Sequence, residues 1–135
     1  MDDVVRVVSL DQLAERLRLL GELYVRFSSG PEADAAATST DRESGCALPG
    51  LSVNPLTPEP WWTRPTEHWL ARQLCQYAHL STGDRFGWVL TGRVVGRGPD
   101  SEPLISGFRL VALLDDSVLV EADEVYHSVF DAGRV

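Results

Sequence analysis

Apolar side chains recur along this chain in two rhythms, and the places where one gives way to the other mark its elements. Leu10, Leu13, Leu17 and Leu20 repeat at three- and four-residue intervals, the spacing of one helix face. Ser9 followed by Gln12 fits a capping box ahead of that run, and Gly21 supplies a left-handed stop after it, so a helix is predicted between them. In Glu22-Leu-Tyr-Val-Arg-Phe-Ser the period shortens to two. Leu23, Val25 and Phe27 alternate there with Tyr24 and Arg26, the pattern of a half-buried strand with Arg26 pointing away from the Leu23 face. Val4 to Val8 is a short β-branched run that suits an edge strand.

Beyond Thr66, a suitable N-cap, the helical rhythm returns. Trp69, Leu70, Leu74, Tyr77 and Ala78 form a broad apolar face against Glu67, Arg72, Gln73 and Gln76, predicting a second helix to about His79. Phe86 to Gly92 and Leu104 to Leu114 read as strands, with Val94 and Val95 continuing the first or forming the next edge. A turn at Asp115-Asp116 and a further strand over Ser117 to Val120 follow, and Asp123 to Phe130 reads as a short helix or a frayed end.

Two stretches carry neither rhythm. From Ser28 to Gly45 the residues are mostly Ser, Thr, Ala, Gly, Asp and Glu, with almost nothing to bury, so a mobile loop is expected over 28–47. Its role is either a lid or a tolerated insertion. The stretch 48–65 holds five of the eight prolines and two of the four tryptophans. Proline biases Asn54, Thr57, Glu59 and Arg64 away from helix, so the segment runs extended and stiff and can hold Trp61 and Trp62 against a core, a ligand or a partner. The resulting order predicts an α+β fold: one domain over 1–135, two main helices, and a largely antiparallel sheet that can be split.

Composition narrows the function classes. At 135 residues with 44% hydrophobic content, the chain suits one real core without disulfides or metal. A net charge of −8 argues against nucleic-acid partners, because phosphate affinity comes from clustered positive charge. No apolar run approaches the roughly 20 residues that span a bilayer, and Met1-Asp-Asp is the wrong start for a secretory signal, so the expectation is a cytoplasmic protein with no membrane association. All twelve basic residues are arginine, which removes lysine chemistry and suggests a G- and C-rich genome. Cys46 and Cys75 read as free thiols. Cys75 and His79 sit one helical turn apart, but His68 is too far along the helix to complete a metal shell, so no metal is expected.

Chemistry concentrates on Arg26, Ser52 in the Pro/Trp segment, and Glu102 in Gly-Pro-Asp-Ser-Glu-Pro, each at a structural transition. An arginine fork can bind a pyrophosphate, a serine can orient ribose, and a carboxylate can bind a ribose hydroxyl and stabilise an oxocarbenium-like centre. Tyr24, Trp61 or Trp62 could flank a nicotinamide or adenine ring. The plainer roles are an Arg26 pair with Glu22 or Asp34, a Ser52 bond to a backbone group, and a Glu102 that sits in a turn.

The order arginine, serine, glutamate, with a helix between the second and third, resembles the ADP-ribosyltransferase superfamily. Here Leu51-Ser52-Val53 stands where that superfamily usually has Ser-Thr-Ser, and Asp100 stands for the first member of its acidic pair. The resemblance implies an NAD cleft in which Arg26 holds phosphate, Ser52 positions the nicotinamide ribose and Glu102 is catalytic. Leu-Tyr-Val-Arg-Phe-Ser, Leu-Pro-Gly-Leu-Ser-Val-Asn-Pro-Leu with Glu-Pro-Trp-Trp, and Gly-Arg-Gly-Pro-Asp-Ser-Glu-Pro-Leu are together similar to an uncharacterised actinobacterial family of unknown function, which implies a small cytosolic protein. The reading from a different class is a non-catalytic interaction module that engages a protein partner through an exposed 48–65 segment.

Overall fold

A computed structural model describes residues 4–35, 38–77 and 81–130. The chain runs β1 (Arg6–Val7), α1 (Leu10–Leu20), β2 (Tyr24–Ser28), α2 (Pro31–Asp34), β3 (Leu51–Ser52), β4 (Asn54–Pro55), α3 (Thr66–Tyr77), β5 (Phe86–Arg97), β6 (Pro103–Leu114) and α4 (Asp116–Phe130). It is an α+β domain whose sheet is antiparallel except where β1 joins β6.

The first helix follows its sequence signals. Ser9 Oγ accepts from the backbone N–H of Gln12, and Gly21 closes the helix at φ 87° with its N–H on the Leu17 carbonyl. Leu10, Leu13 and Leu17 are buried, whereas Leu20, the fourth of the stripe, is exposed. In α3, Trp69, Leu70 and Leu74 are buried as their spacing requires. Gln73, assigned to the polar face, is buried as well, because its side-chain N–H donates to the Pro55 carbonyl at 2.9 Å. That bond satisfies a buried amide and ties the helix to the Pro/Trp segment. Ala78 and His79, the expected end of this helix, lie outside the described residues.

Ser117 to Val120, expected as a strand, lies instead inside α4, a third substantial helix. Asp115 Oδ2 accepts from the Ser117 N–H at 3.0 Å, an N-cap that starts the helix. Val118 and Ala122, four residues apart, are then both fully buried beneath it. Tertiary burial at helical spacing outweighs the β preference of the short Val-Leu-Val run.

The strands curl. The long hairpin of β5 and β6 is flanked by β2 on one side and by β1 and β3 on the other. Leu51 pairs with Ile105 and Ser52 with Leu104, and two residues later Asn54 and Pro55 pair with Val25 and Tyr24. The short extended piece 51–55 thus bridges β6 and β2, the two neighbours of β5, and closes that part of the sheet on itself. Proline at position 55 suits this place, since it lacks a donor to offer to a further strand. Two apolar clusters result. One lies between the sheet and α1, α3 and α4, with Val25, Phe27 and Val89 facing Leu13, Leu70, Leu74 and Val118. The other, Tyr24, Leu51, Val53, Trp88, Leu90 and Ile105, fills the inside of the curl.

Candidate functional site

The stretch after β2, expected as a loop throughout, contains α2, and one carboxylate in that helix ties it to the sheet. Asp34 Oδ2 accepts from Arg26 Nε at 2.7 Å and from Ser28 Oγ at 2.6 Å, while Oδ1 accepts from Arg26 Nη2 at 3.4 Å. Ser28 Oγ in turn accepts from Trp88 Nε1 at 3.0 Å and from the Gly30 N–H at 3.1 Å. The bonds run unbroken from the buried indole of Trp88 to the ion pair. Arg26 and Asp34 side chains are only 17% and 14% exposed, so each charge depends on the other and on these donors.

Arg26 also reaches the closing segment. Its Nη1 donates to the Ser52 carbonyl at 2.8 Å and to Ser39 Oγ at 3.4 Å, and Ser39 Oγ accepts from the Ser52 N–H at 2.8 Å. Four of the five guanidinium N–H groups are therefore used inside the protein, which leaves no free fork for a bidentate anion. The Arg26–Asp34 pair is one of the plain pairings the sequence allowed.

Ser52 Oγ donates to Glu102 Oε2 at 2.5 Å. Glu102 sits in the turn of the β5–β6 hairpin, where the Gly98 N–H donates to the Glu102 carbonyl and the Ser101 N–H to the Gly98 carbonyl. Ser101 takes φ 63° to make the bend, and the Asp100 N–H donates to Glu102 Oε1 at 2.9 Å. The carboxylate folds back so closely that a Cβ on Gly98 would collide with it and push it aside. Burial pushes the Glu102 carboxyl up, but the hydrogen bonds from Ser52 Oγ and the Asp100 N–H outweigh it and hold the group below the ordinary glutamate range. Glu102 is ionised at neutral pH.

Arg26, Ser52 and Glu102 thus come together, 26 and 50 residues apart in successive steps. They line a cleft of about 720 Å³ whose walls also carry Arg42, Arg85 and Asn54. Thr38, Ser39 and Thr40 line it too. Tyr24, Trp61 and Trp62, expected to flank a ring, do not line this cleft. Tyr24 is buried inside the curl, with its hydroxyl on Glu22 at 3.4 Å. Trp61 and Trp62 meet Trp69 edge-on at ring-centroid distances of 5.9 and 5.0 Å, and Trp62 also meets Phe130. Arg72 lies over the Trp62 and Trp69 rings. The two tryptophans differ: Trp62 is half-buried with its Nε1 on the Pro65 carbonyl, whereas Trp61 is 62% exposed.

Sequence reasoning missed Ser28, Ser39, Arg42 and Arg85. The first three lie in the low-complexity stretch, where periodicity gives no signal, and Arg85 is an isolated basic residue between a turn and a strand. Among the described residues no group of three or more metal-ligating side chains converges, and no helix is long and apolar enough to cross a membrane.

Fold and site together define a small α+β domain with a cleft lined by β2, the 38–54 stretch and the β5–β6 turn. Residues 1–134 match the model of a family of unknown function (DUF6098), and the chain belongs to that family. No curated protein and no solved structure matches it.

Proposed function

We propose that this protein binds a nucleotide of the NAD type in the cleft between the 38–54 segment and the β5–β6 turn. The observation that carries the reading is Glu102: an ionised carboxylate held by Ser52 Oγ at 2.5 Å and the Asp100 N–H at 2.9 Å beside a cleft of about 720 Å³. A fixed carboxylate accepts from adjacent hydroxyls of a ribose, and its charge supports positive charge developing at an anomeric carbon, as in glycosidic cleavage or ADP-ribosyl transfer. The ordered succession of Arg26, Ser52 and Glu102 favours the ADP-ribosyltransferase-like reading within this class. Arg26 serves it by fixing Ser52 and α2, since its own donors are spent on Asp34, Ser39 and Ser52.

Calorimetric titration with NAD and with ADP-ribose tests the reading, beside Glu102→Gln. Binding in the micromolar to millimolar range, weakened about tenfold or more by the substitution with the fold intact, is the expected result. Release of nicotinamide, followed by chromatography, would extend the reading to catalysis. No binding of either compound at millimolar concentration overturns it. The 62% exposure of Trp61 favours a second role, docking of a protein partner on the tryptophan cluster; loss of a partner in pull-downs with Trp61→Ala, with the fold intact, is its test.

A further inference from the structure

Resting on the nucleotide reading, the geometry points to Arg85 as the residue that receives the ligand's phosphate, in place of Arg26. Among the described residues three arginines line the cleft. Arg26 is neutralised by Asp34 and has four donors engaged. The Arg85 side chain makes one hydrogen bond among the described residues, from Nη2 to the Phe27 carbonyl at 3.1 Å, and no ion pair. That bond orients the guanidinium and uses one of the two Nη2 hydrogens, which leaves the other to form a fork with Nε or with Nη1 for a planar pair of anionic oxygens. Arg42 likewise has no carboxylate partner among the described residues: the neighbouring Asp41 carboxylate accepts instead from the Ser44 N–H at 3.1 Å and the Ser44 hydroxyl at 2.5 Å.

The contacts set an order across the cleft. Arg85 is held at Phe27, which adjoins Arg26; Arg26 reaches Ser52, and Ser52 reaches Glu102. Arg85 therefore lies on the β2 side and an acceptor end at the β5–β6 turn, where Asp100 also lines the wall; Asp41 and Glu43 line it as well, on either side of Arg42 in the chain. In a chain of net charge −8, uncompensated arginines facing a cleft mark where negative charge is to be placed. The matching ligand is bipolar: phosphate at one end and vicinal hydroxyls at the other, as in ADP-ribose or a nucleoside diphosphate. The two ends explain how one cleft carries both excess carboxylate and unpaired arginine.

The test titrates wild type, Arg85→Gln and Arg85→Lys with ADP-ribose and with adenosine, which lacks phosphate. We expect Arg85→Gln to weaken ADP-ribose about ten- to hundredfold, the loss of one charge-assisted bidentate contact, with Arg85→Lys between it and wild type. Adenosine affinity should be the same in all three, and the salt dependence of ADP-ribose binding should shrink in Arg85→Gln. Equal ADP-ribose affinity in wild type and Arg85→Gln overturns the assignment and leaves the nucleotide reading standing. Equal losses for adenosine and ADP-ribose also overturn it, since Arg85 would then act on the shape of the cleft. If wild type binds neither compound, the nucleotide reading fails and the assignment with it.

Discussion

Replacing Asp34 by alanine removes the acceptor that holds α2, Ser28 and Arg26 together, and its cost follows from what remains. Arg26 keeps a charge on a side chain only 17% exposed, and Ser28 Oγ loses the partner at 2.6 Å. Breaking a buried pair from one side costs about 3–5 kcal/mol; the residual exposure of both side chains brings this to about 2–4 kcal/mol. With an unfolding entropy of about 2.1 cal/mol/K per residue and 135 residues, a loss near 3 kcal/mol lowers Tm by about 10 °C. Calorimetry on Asp34→Ala, Arg26→Met and the double variant measures it. The double variant should be little worse than the single ones, giving a coupling of about 2 kcal/mol. A fall of less than about 3 °C in Asp34→Ala, with additive single effects, would refute the view that this pair anchors the loop to the sheet.

Three further outcomes follow from the same geometry. Gly98→Ala or Ser52→Ala should raise the Glu102 carboxyl pKa towards its ordinary value, read by carbon-detected NMR, because each removes or displaces the Ser52 bond that lowers it. By linkage, that bond stabilises the fold above the ordinary glutamate pKa and its contribution is lost as pH falls through the depressed folded value, so Ser52→Ala should flatten the acid limb of the stability curve. Cys46 is exposed, whereas burial, followed by the nearby Asp123 charge, raises the Cys75 thiol pKa; a disulfide reagent at neutral pH should modify Cys46 first and Cys75 with a rate that keeps climbing into alkaline pH. Trp61→Phe should remove most of the acrylamide-quenchable tryptophan emission and move Tm by only about 2–3 °C, the worth of edge-on contacts on an exposed ring.

What was legible in the sequence was what periodicity encodes. The leucine spacing and the Ser9 and Gly21 caps gave α1, and the alternation around Arg26 gave β2. The apolar face of α3 was equally plain. Reasoning from local β preference failed at Ser117 to Val120, where the burial of Val118 and Ala122 against other elements decides the conformation. The trio of Arg26, Ser52 and Glu102 could be named because their residue types suit one chemistry, although only Ser52 and Glu102 stand at the edge of an element and Arg26 is central in β2. Apart from the Arg26–Asp34 pair, its contacts could not, since they join residues that are neighbours only once the sheet has curled. Ser28 is the clearest case: a polar residue at the start of a stretch with nothing to bury bonds both the Asp34 carboxylate and a buried indole.

The bridge formed by residues 51–55 has a consequence for the order in which the molecule opens. It holds β2 and β6 through a few backbone pairings, while the hairpin it spans is long and, despite register shifts, paired from Trp88 to Arg97. Segments with so few pairings exchange their amide hydrogens through local opening, well below the free energy of global unfolding. Release of this bridge would take Ser52 off Glu102 and dismantle the cleft while the helices and the hairpin stayed folded. Hydrogen exchange at Ser52 and Val53 should then be faster than at Val89 and Leu90, and a bound ligand should slow the first pair far more than the second.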